Sequence, residues 1–355
     1  MTGCGGARGL RSVLKGKAGE FYALAHTSPT VRRHIRPVME LVPDDQVRDL
    51  LETFCDHAMN YVPNHMVLTV DCGALSPARV LEGDVGGPVA RVSEALGLRD
   101  RPMCPVFRPS DRADVLSEVA QAAAVRGHGA CLRVSVPAVG AEALPDEGRV
   151  DALLASVRLE PGEVDLFLDA GPVTGPSRNT LTSRVLDALK SLPGRPWRSV
   201  CLASGAFPVN LTGFPRSRAT PVVREDARLW LDITERWSGT PLDYGDFGVT
   251  HPGMPPRSRG RPDPNMRYTT GSDWQVFVYP RAKAGNDDFF DLSADLVSSP
   301  CWPATGAATS WGDERLEDCA VRRRDKAGGA TQWRAWATSH HLAVVTSRLA
   351  RDGVP

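Results

Sequence analysis

The sequence predicts a closed (β/α)8 barrel, the TIM-barrel fold, and three observations lead to it. Eight short apolar bursts recur along the first 250 residues, and helix-length amphipathic stretches separate them. Most bursts end in a charged or small polar residue. Strand and helix alternating to a count of eight is the sequence form of a closed parallel barrel. The length of 355 residues fits one barrel of about 250 residues plus a substantial extra piece. The barrel also says where a site belongs, at the C-terminal ends of the strands.

In chain order the predicted strands are RSVLKGK (11–17), IRPVMEL (35–41), HMVLTVDCG (65–73), MCPVFRP (103–109), ACLRVSV (130–136), EVDLFLDAG (163–171), RSVCLASG (198–205) and DYGDFGVTH (243–251). Several are continuous apolar runs, as expected where both faces of a parallel sheet are covered. Between them, helices are predicted over 19–34, with a break at Ser28-Pro29, and over 44–58, where Pro43 and two aspartates form a start signal. Further helices follow at 89–98, 110–126, 147–159, 178–192 and 224–237. The fourth begins at a capping Ser110 and ends at Gly127.

After Val249 the pattern changes. Residues 251–264 (HPGMPPRSRGRPDP) read as a long exposed loop. MRYTT (266–270) and WQVFVYP (274–280) flank Gly271, Ser272 and Asp273, which suggests a hairpin. Short helices are expected at 289–297 and 311–319, and a long amphipathic one over 332–351. The expected organisation is therefore strands one to eight and helices one to seven within 1–250, a cap inserted over the mouth at 251–330, and a final helix within 331–355 that completes the ring.

Composition narrows the function. The chain has 42 basic and 42 acidic residues, so its formal charge is zero. Broad nucleic-acid surfaces carry a basic excess, because their affinity comes from neutralising phosphates; such binding is not expected. Among the basic residues only Lys15, Lys17, Lys190, Lys283 and Lys326 are lysines, and two of these share one short stretch. The cysteines Cys4, Cys55, Cys72, Cys104, Cys131, Cys201, Cys301 and Cys319 form no CxxC pair, so a zinc knuckle is not indicated. Met1 to Arg11 lacks an apolar signal core, and no run is long enough to span a bilayer. The expectation is a reduced, cytoplasmic protein with no membrane partner.

Chemistry should gather at the strand ends, which offer Lys15, Lys17, Glu40, Asp71, Arg108, Arg133, Asp169, Ser204 and Asp246. Such a convergence is either an acid/base set or a salt-bridge layer closing the barrel top. LKGKAGE (14–20) is the sharpest element: two lysines flank a glycine where a helix opens, which suits an anion. DAGPVTG (169–175) and LASGAFP (202–208) are turns late in the barrel, where barrel phosphate sites often lie, and Gly205 there has no side chain to block its amide. His340 and His341 point different ways on a helix. No ligand set for a metal is assigned; if Glu40, Asp71, Asp169, Asp246 and His251 bound one, their oxygens would favour Mg or Mn. No P-loop, nucleophile elbow, kinase set or HExxH is present.

VLKGKAGEFYAL (13–24), IRPVMEL (35–41), VDLFLDAG (164–171), WRSVCLASGAFP (197–208), YGDFGVTHP (244–252), MRYTT (266–270), SWGDE (310–314) and TSHHL (338–342) together resemble the phage T4-type beta protein family, over nearly the whole chain. The resemblance implies a barrel carrying LKGK-, YGD-, RYT- and SWGD-type segments, here at Lys15 and Lys17, Tyr244 and Asp246, Arg267 and Tyr268, and Trp311 and Asp313. It implies no reaction, and suggests a phage–host conflict setting by association.

The leading expectation is a barrel protein, enzyme or former enzyme, that binds an anionic, phosphorylated small molecule at the mouth. Lys15, Lys17, Arg108, Arg133 and Arg267 would hold the anion, with Ser204, Gly205, Asp313 and His340 nearby. Asp169 and Asp246, supported by Glu40 and Asp71, would do acid/base or metal work, and Tyr244, Tyr268 and Trp311 would wall the pocket. The alternative is a non-catalytic interaction protein of a phage-defence or phage-encoded system. It would capture a protein partner through 251–330, where Trp274, Phe277, Tyr279, Trp302 and Trp311 mix with arginines.

Overall fold

The computed structural model describes residues 9–42, 47–75, 86–136, 144–192, 194–253, 262–282 and 286–355. The helix-start signal at Pro43 and Asp44, the thiol of Cys4, Lys283 and most of the Pro/Arg-rich loop lie outside these residues.

The strands β1 (Leu10–Leu14), β2 (Val38–Glu40), β3 (Leu68–Asp71), β4 (Met103–Phe107), β5 (Ala130–Ser135), β6 (Val164–Pro172) and β7 (Ser199–Gly205) run parallel and neighbour one another in chain order. β8 (Ala219–Val223) leaves the barrel, and β9 (Leu242–Asp246) closes it by pairing with both β7 and β1. At the seam Leu10, Arg11 and Ser12 face Tyr244, Gly245 and Asp246. The fold is thus a TIM-type barrel, as the eight bursts predicted.

Helices fill the crossovers: α1 (Ala18–Ala25), α2 (Pro29–Arg32), α3 (Val47–Tyr61), α4 (Pro88–Gly97), α5 (Ala113–Arg126), α6 (Glu147–Val157), α7 (Gly175–Ser191) and α8 (Glu225–Arg236). Ser28 accepts from the Val31 amide and so separates α2 from α1 where the Ser-Pro break was read. α5 ends at Gly127 with a φ of 68°, as expected, but starts later than predicted: Arg112, not Ser110, occupies its N-cap, without a side-chain hydrogen bond.

The cap combines a three-stranded antiparallel sheet with short helices. β10 (Asn265–Thr269) and β11 (Asp273–Val278) form the predicted hairpin, and β8 adds to the far edge of β11. That third strand was missed because ATPVV contains Pro221, which cannot donate to a ladder; it sits on an edge strand, where this is tolerated. α9 (Asp288–Val297) and α10 (Trp311–Ala320) pack on the sheet.

The last helix, α11 (Ala330–Asp352), ties the two parts together. Gln332 reaches back to the Gly329 amide at its start, and Gly353, with a φ of 68°, ends it. Its first half puts Trp333 and Trp336 into the cap core, and its second half puts Leu342, Val345 and Leu349 into the barrel's helix-facing core. Burying each such side chain stabilises by about 1.5–3 kcal/mol, so α11 belongs energetically to both.

Candidate functional site

Strand alternation sorts the barrel residues. Leu10, Leu14, Met39, Leu68, Val70, Leu132, Leu166, Leu168, Leu202, Leu242 and Tyr244 face the helices. The residues between them face the lumen, in three layers. The lower layer is ionic, around Arg11, Asp165 and Asp243. The middle is apolar: Val13, Val38, Cys104, Val106, Cys131, Phe167, Cys201, Ala203 and Phe247. The upper layer holds Lys15, Glu40, Asp71, Arg108, Arg133 and Asp169.

That upper layer is a closed ion-pair network. Arg133 donates to Asp71 at 2.5 Å, to Glu40 at 3.1 Å and to Asp169 at 2.5 Å. Arg108 donates to both oxygens of Asp71, at 2.7 and 2.5 Å. Lys15 donates to Glu40 and, at 2.6 Å, to the Pro252 carbonyl. The Gly73 and Gly171 amides complete Asp71 and Asp169. Burial alone pushes the Asp71 carboxyl up, but Arg108 and Arg133 outweigh it and hold it at about 2. Burial also works against the Arg133 charge, and Asp169, Asp71 and Glu40 more than restore it. Three cations meet three carboxylates here, so the layer's charges balance internally, although Arg108 Nη1 has no hydrogen-bond partner. Of the two readings of these strand ends, the geometry is that of the salt-bridge layer.

Beside it lies a cavity of about 270 Å³ between barrel and cap, lined by Lys15, Lys17, Glu20, His251, Arg267 and Arg334 among others. Two helices begin on its wall: α1 contributes Ala18 and Gly19, and α11 contributes Ala330 and Thr331. Helix starts present unpaired amides and a positive dipole end, the ordinary receptor for an anion. The local sequence explains the arrangement. Gly16 adopts a φ of +62°, which L side chains resist, and this turn leaves Lys15 in the lumen and Lys17 at the exposed N-cap of α1. Gly19 is required because a Cβ there would stand 2.6 Å from the Thr331 carbonyl, so the two helix starts touch.

The cavity's cations are poorly neutralised. Arg267 donates to the Val249 carbonyl at 2.7 Å and lies 4.6 Å over the Phe207 ring, but its Nε has no partner. Burial, then neighbouring Arg334, pushes the Arg267 guanidinium well below its ordinary value. Arg334 is lowered by burial too, with Glu20 opposing. Glu20 itself is buried and raised, first by that burial, while the Lys17 amide and Arg334 pull it back. A bound anion would favour the charged forms of Arg267 and Arg334 and disfavour that of Glu20. A larger cavity, about 380 Å³, lies beside Arg108, but Asp111, Asp114 and Glu118 line it and disfavour an anion.

Several predicted site residues stand elsewhere. Asp246 and Tyr244 share the outward parity of Leu242, so they face the helix layer and are buried. Asp246 accepts from Ser12 at 2.6 Å and pairs with His341 Nε2 at 2.8 Å. Tyr244 donates to Asp226 and accepts from Arg224. Tyr268, Asp313 and His340 form a buried cluster inside the cap: Tyr268 donates to Asp313 at 2.6 Å, His340 Nδ1 lies 2.9 Å from Asp313, and the Tyr268 and His340 rings stack 3.8 Å apart. Trp311 is on the outer flank, stacked 4.0 Å from His26. Ser204 is buried, and Gly205 packs against Pro252, where a Cβ would come within 2.6 Å; neither lines the cavity. Among the residues of the interface reading, Trp274, Phe277 and Tyr279 are cap core.

Lys15, Lys17 and Arg267 therefore reach the cavity, and Arg108, Arg133, Glu40, Asp71 and Asp169 form the ion layer below it. Arg334, Glu20 and Thr331 were missed. Arg334 sits one turn into an amphipathic helix, and nothing in a linear pattern says that this helix starts against α1. Among the described residues no three His, Cys, Asp or Glu side chains are grouped so as to hold a metal ion. Among them, too, no helix is long and apolar enough to cross a membrane.

The architecture is similar to type I 3-dehydroquinate dehydratase from Clostridium difficile (10% identity, 70% of this chain and 88% of that one, TM-score 0.36). It is also similar to the biosynthetic arginine decarboxylase from Campylobacter jejuni (11% identity, 96% and 56% covered, TM-score 0.36). Both likenesses are distant. No curated protein matches the sequence. The family described as Beta protein matches residues 11–347, which span the barrel, the cap and most of α11, and the chain belongs to that family.

Proposed function

We propose that this protein binds a phosphorylated small anion in the mouth cavity, with Lys17, Arg267 and Arg334 facing the phosphate and Lys15 at its inner edge. One observation carries the reading: two helix starts and four cationic side chains share one 270 Å³ space with Glu20 as its counter-charge. The volume suits a compact ligand, just under the usual range of about 300–1,000 Å³ for small-molecule pockets. Glu40 and Asp169, 16% and 13% exposed, are the carboxylates of the ion layer best placed to exchange a proton with such a ligand. Asp71, fully buried between two arginines, supports the layer instead. A phage–host conflict setting, suggested by the family resemblance, is part of the proposal.

The test is a thermal-shift screen against inorganic phosphate, pyrophosphate and phosphorylated metabolites. A ligand at about 100 times its Kd should stabilise by about 2.7 kcal/mol. The shift should vanish in Lys17→Ala and Arg334→Ala. A full set of phosphates without any shift, or a shift that both variants keep, would sink the reading.

A further inference from the structure

The opposite, N-terminal end of the barrel holds a second cationic cavity, of about 400 Å³. Arg33 and Arg36, in the segment leading into β2, line it; both are exposed and neither pairs with a carboxylate among the described residues. Arg198, just before β7, grips Asp165 through Nε at 2.9 Å and Nη2 at 2.7 Å. Asp165 is already shared with Arg11 from the lumen side, at 2.9 Å, and Asp243 takes the Arg11 Nε at 3.3 Å. Asp165 and Asp243 thus serve Arg11 and Arg198, and the charges of Arg33 and Arg36 are left without a carboxylate among the described residues. His128 on the rim responds in the expected direction: burial, then Arg198, lowers its pKa. The cavity reaches inward to Thr69 and Cys104, which are buried on the lumen wall, so it is a recess and not a flat patch.

We propose that this recess is a second anion site, taking a phosphorylated small molecule of at least two negative charges between Arg33, Arg36 and Arg198. Guanidinium forks match phosphate oxygens pairwise, and the two forks of Arg33 and Arg36, beside the charge of an Arg198 whose fork already holds Asp165 and the His128 carbonyl, suit a polyphosphate or bisphosphate better than a monoanion. The concave shape and the chain's zero formal charge favour a small ligand over nucleic acid. The inference is independent of the mouth reading, since the two cavities share no residue.

The experiment is isothermal titration of the full chain with inorganic tripolyphosphate at low salt. It compares wild type, Arg33→Ala/Arg36→Ala and the mouth pair Lys17→Ala/Arg334→Ala. The N-terminal pair should weaken one binding event at least tenfold and keep the melting temperature of wild type, because both side chains are exposed and unpaired. The mouth pair should leave that event intact. If the alanine pair is unstable, Arg33→Gln/Arg36→Gln should show the same loss. A titration unchanged by either N-terminal pair overturns the proposal, as does a single-stranded oligonucleotide that displaces tripolyphosphate from wild type but not from the N-terminal pair. Loss confined to the N-terminal pair, with no event sensitive to the mouth pair, supports this site and sinks the mouth reading alone.

Discussion

Replacing Arg133 with methionine removes the centre of the upper ion layer while keeping most of the side-chain volume. Arg133 serves Asp71, Glu40 and Asp169 together and is 7% exposed. Removing one partner of a buried ion pair costs about 3–5 kcal/mol, because the other charge stays buried. Asp71 keeps Arg108, Glu40 keeps Lys15 and Asp169 keeps the Gly171 amide, so about 3–4 kcal/mol is the expected loss. Unfolding entropy of about 2.1 cal/mol/K per residue over 355 residues converts this into a fall in Tm of about 4–5 °C. The pH dependence has a definite sign. Asp71 is depressed to about 2, so its contribution is full above pH ~4 and is lost as pH falls towards 2. Scanning calorimetry of both proteins from pH 7 to 3 should show the Tm gap narrowing at the acid end. A gap below 1 °C at pH 7, with ligand binding lost, would refute the structural layer and restore a substrate-binding role to these charges.

Four further outcomes follow from the same geometry. His341→Leu should destabilise by about 3 kcal/mol, since it strands buried Asp246 with only Ser12 and the Gly248 amide; urea unfolding measures it, and an unchanged midpoint contradicts the pairing. Gly19→Ala should cost about 1–3 kcal/mol and weaken phosphate binding, because the new Cβ meets the Thr331 carbonyl and parts the two helix starts; full stability would mean they tolerate separation. Cys104, Cys131 and Cys201, all raised by burial, should resist alkylation in the native protein and react after unfolding, as peptide mass spectrometry would report. Leu342→Ala should lower stability by about 2–5 kcal/mol, read by chemical denaturation; a loss under 1 kcal/mol would mean that α11 is not held by the barrel core.

The barrel was legible because buried parallel strands write themselves as short apolar runs, and eight of them with helices between leave few alternatives. The inward or outward sense of each strand end was harder. Asp71 and Asp246 both terminate apolar runs, yet Asp71 shares the parity of Thr69 and enters the lumen, while Asp246 shares the parity of Tyr244 and meets α11. A one-residue difference in where a strand is entered reverses the face, and the YGD segment gave no anchor for it. The mouth cavity was half legible: LKGK marks the start of α1. Arg334 and Arg267 reach it only through a contact between elements more than 200 residues apart in sequence, which no local pattern encodes. The cap aromatics looked like an interface because core and interface draw on the same residues; their burial in one cluster with Phe289 and Trp336 decides for core.

The most direct test of the mouth site is amide hydrogen exchange with and without inorganic pyrophosphate, followed at 18–21 and 330–333. Exchange should slow at both helix starts together, and this protection should be abolished in Arg334→Ala. Protection at neither start, or undiminished protection in that variant, would contradict it.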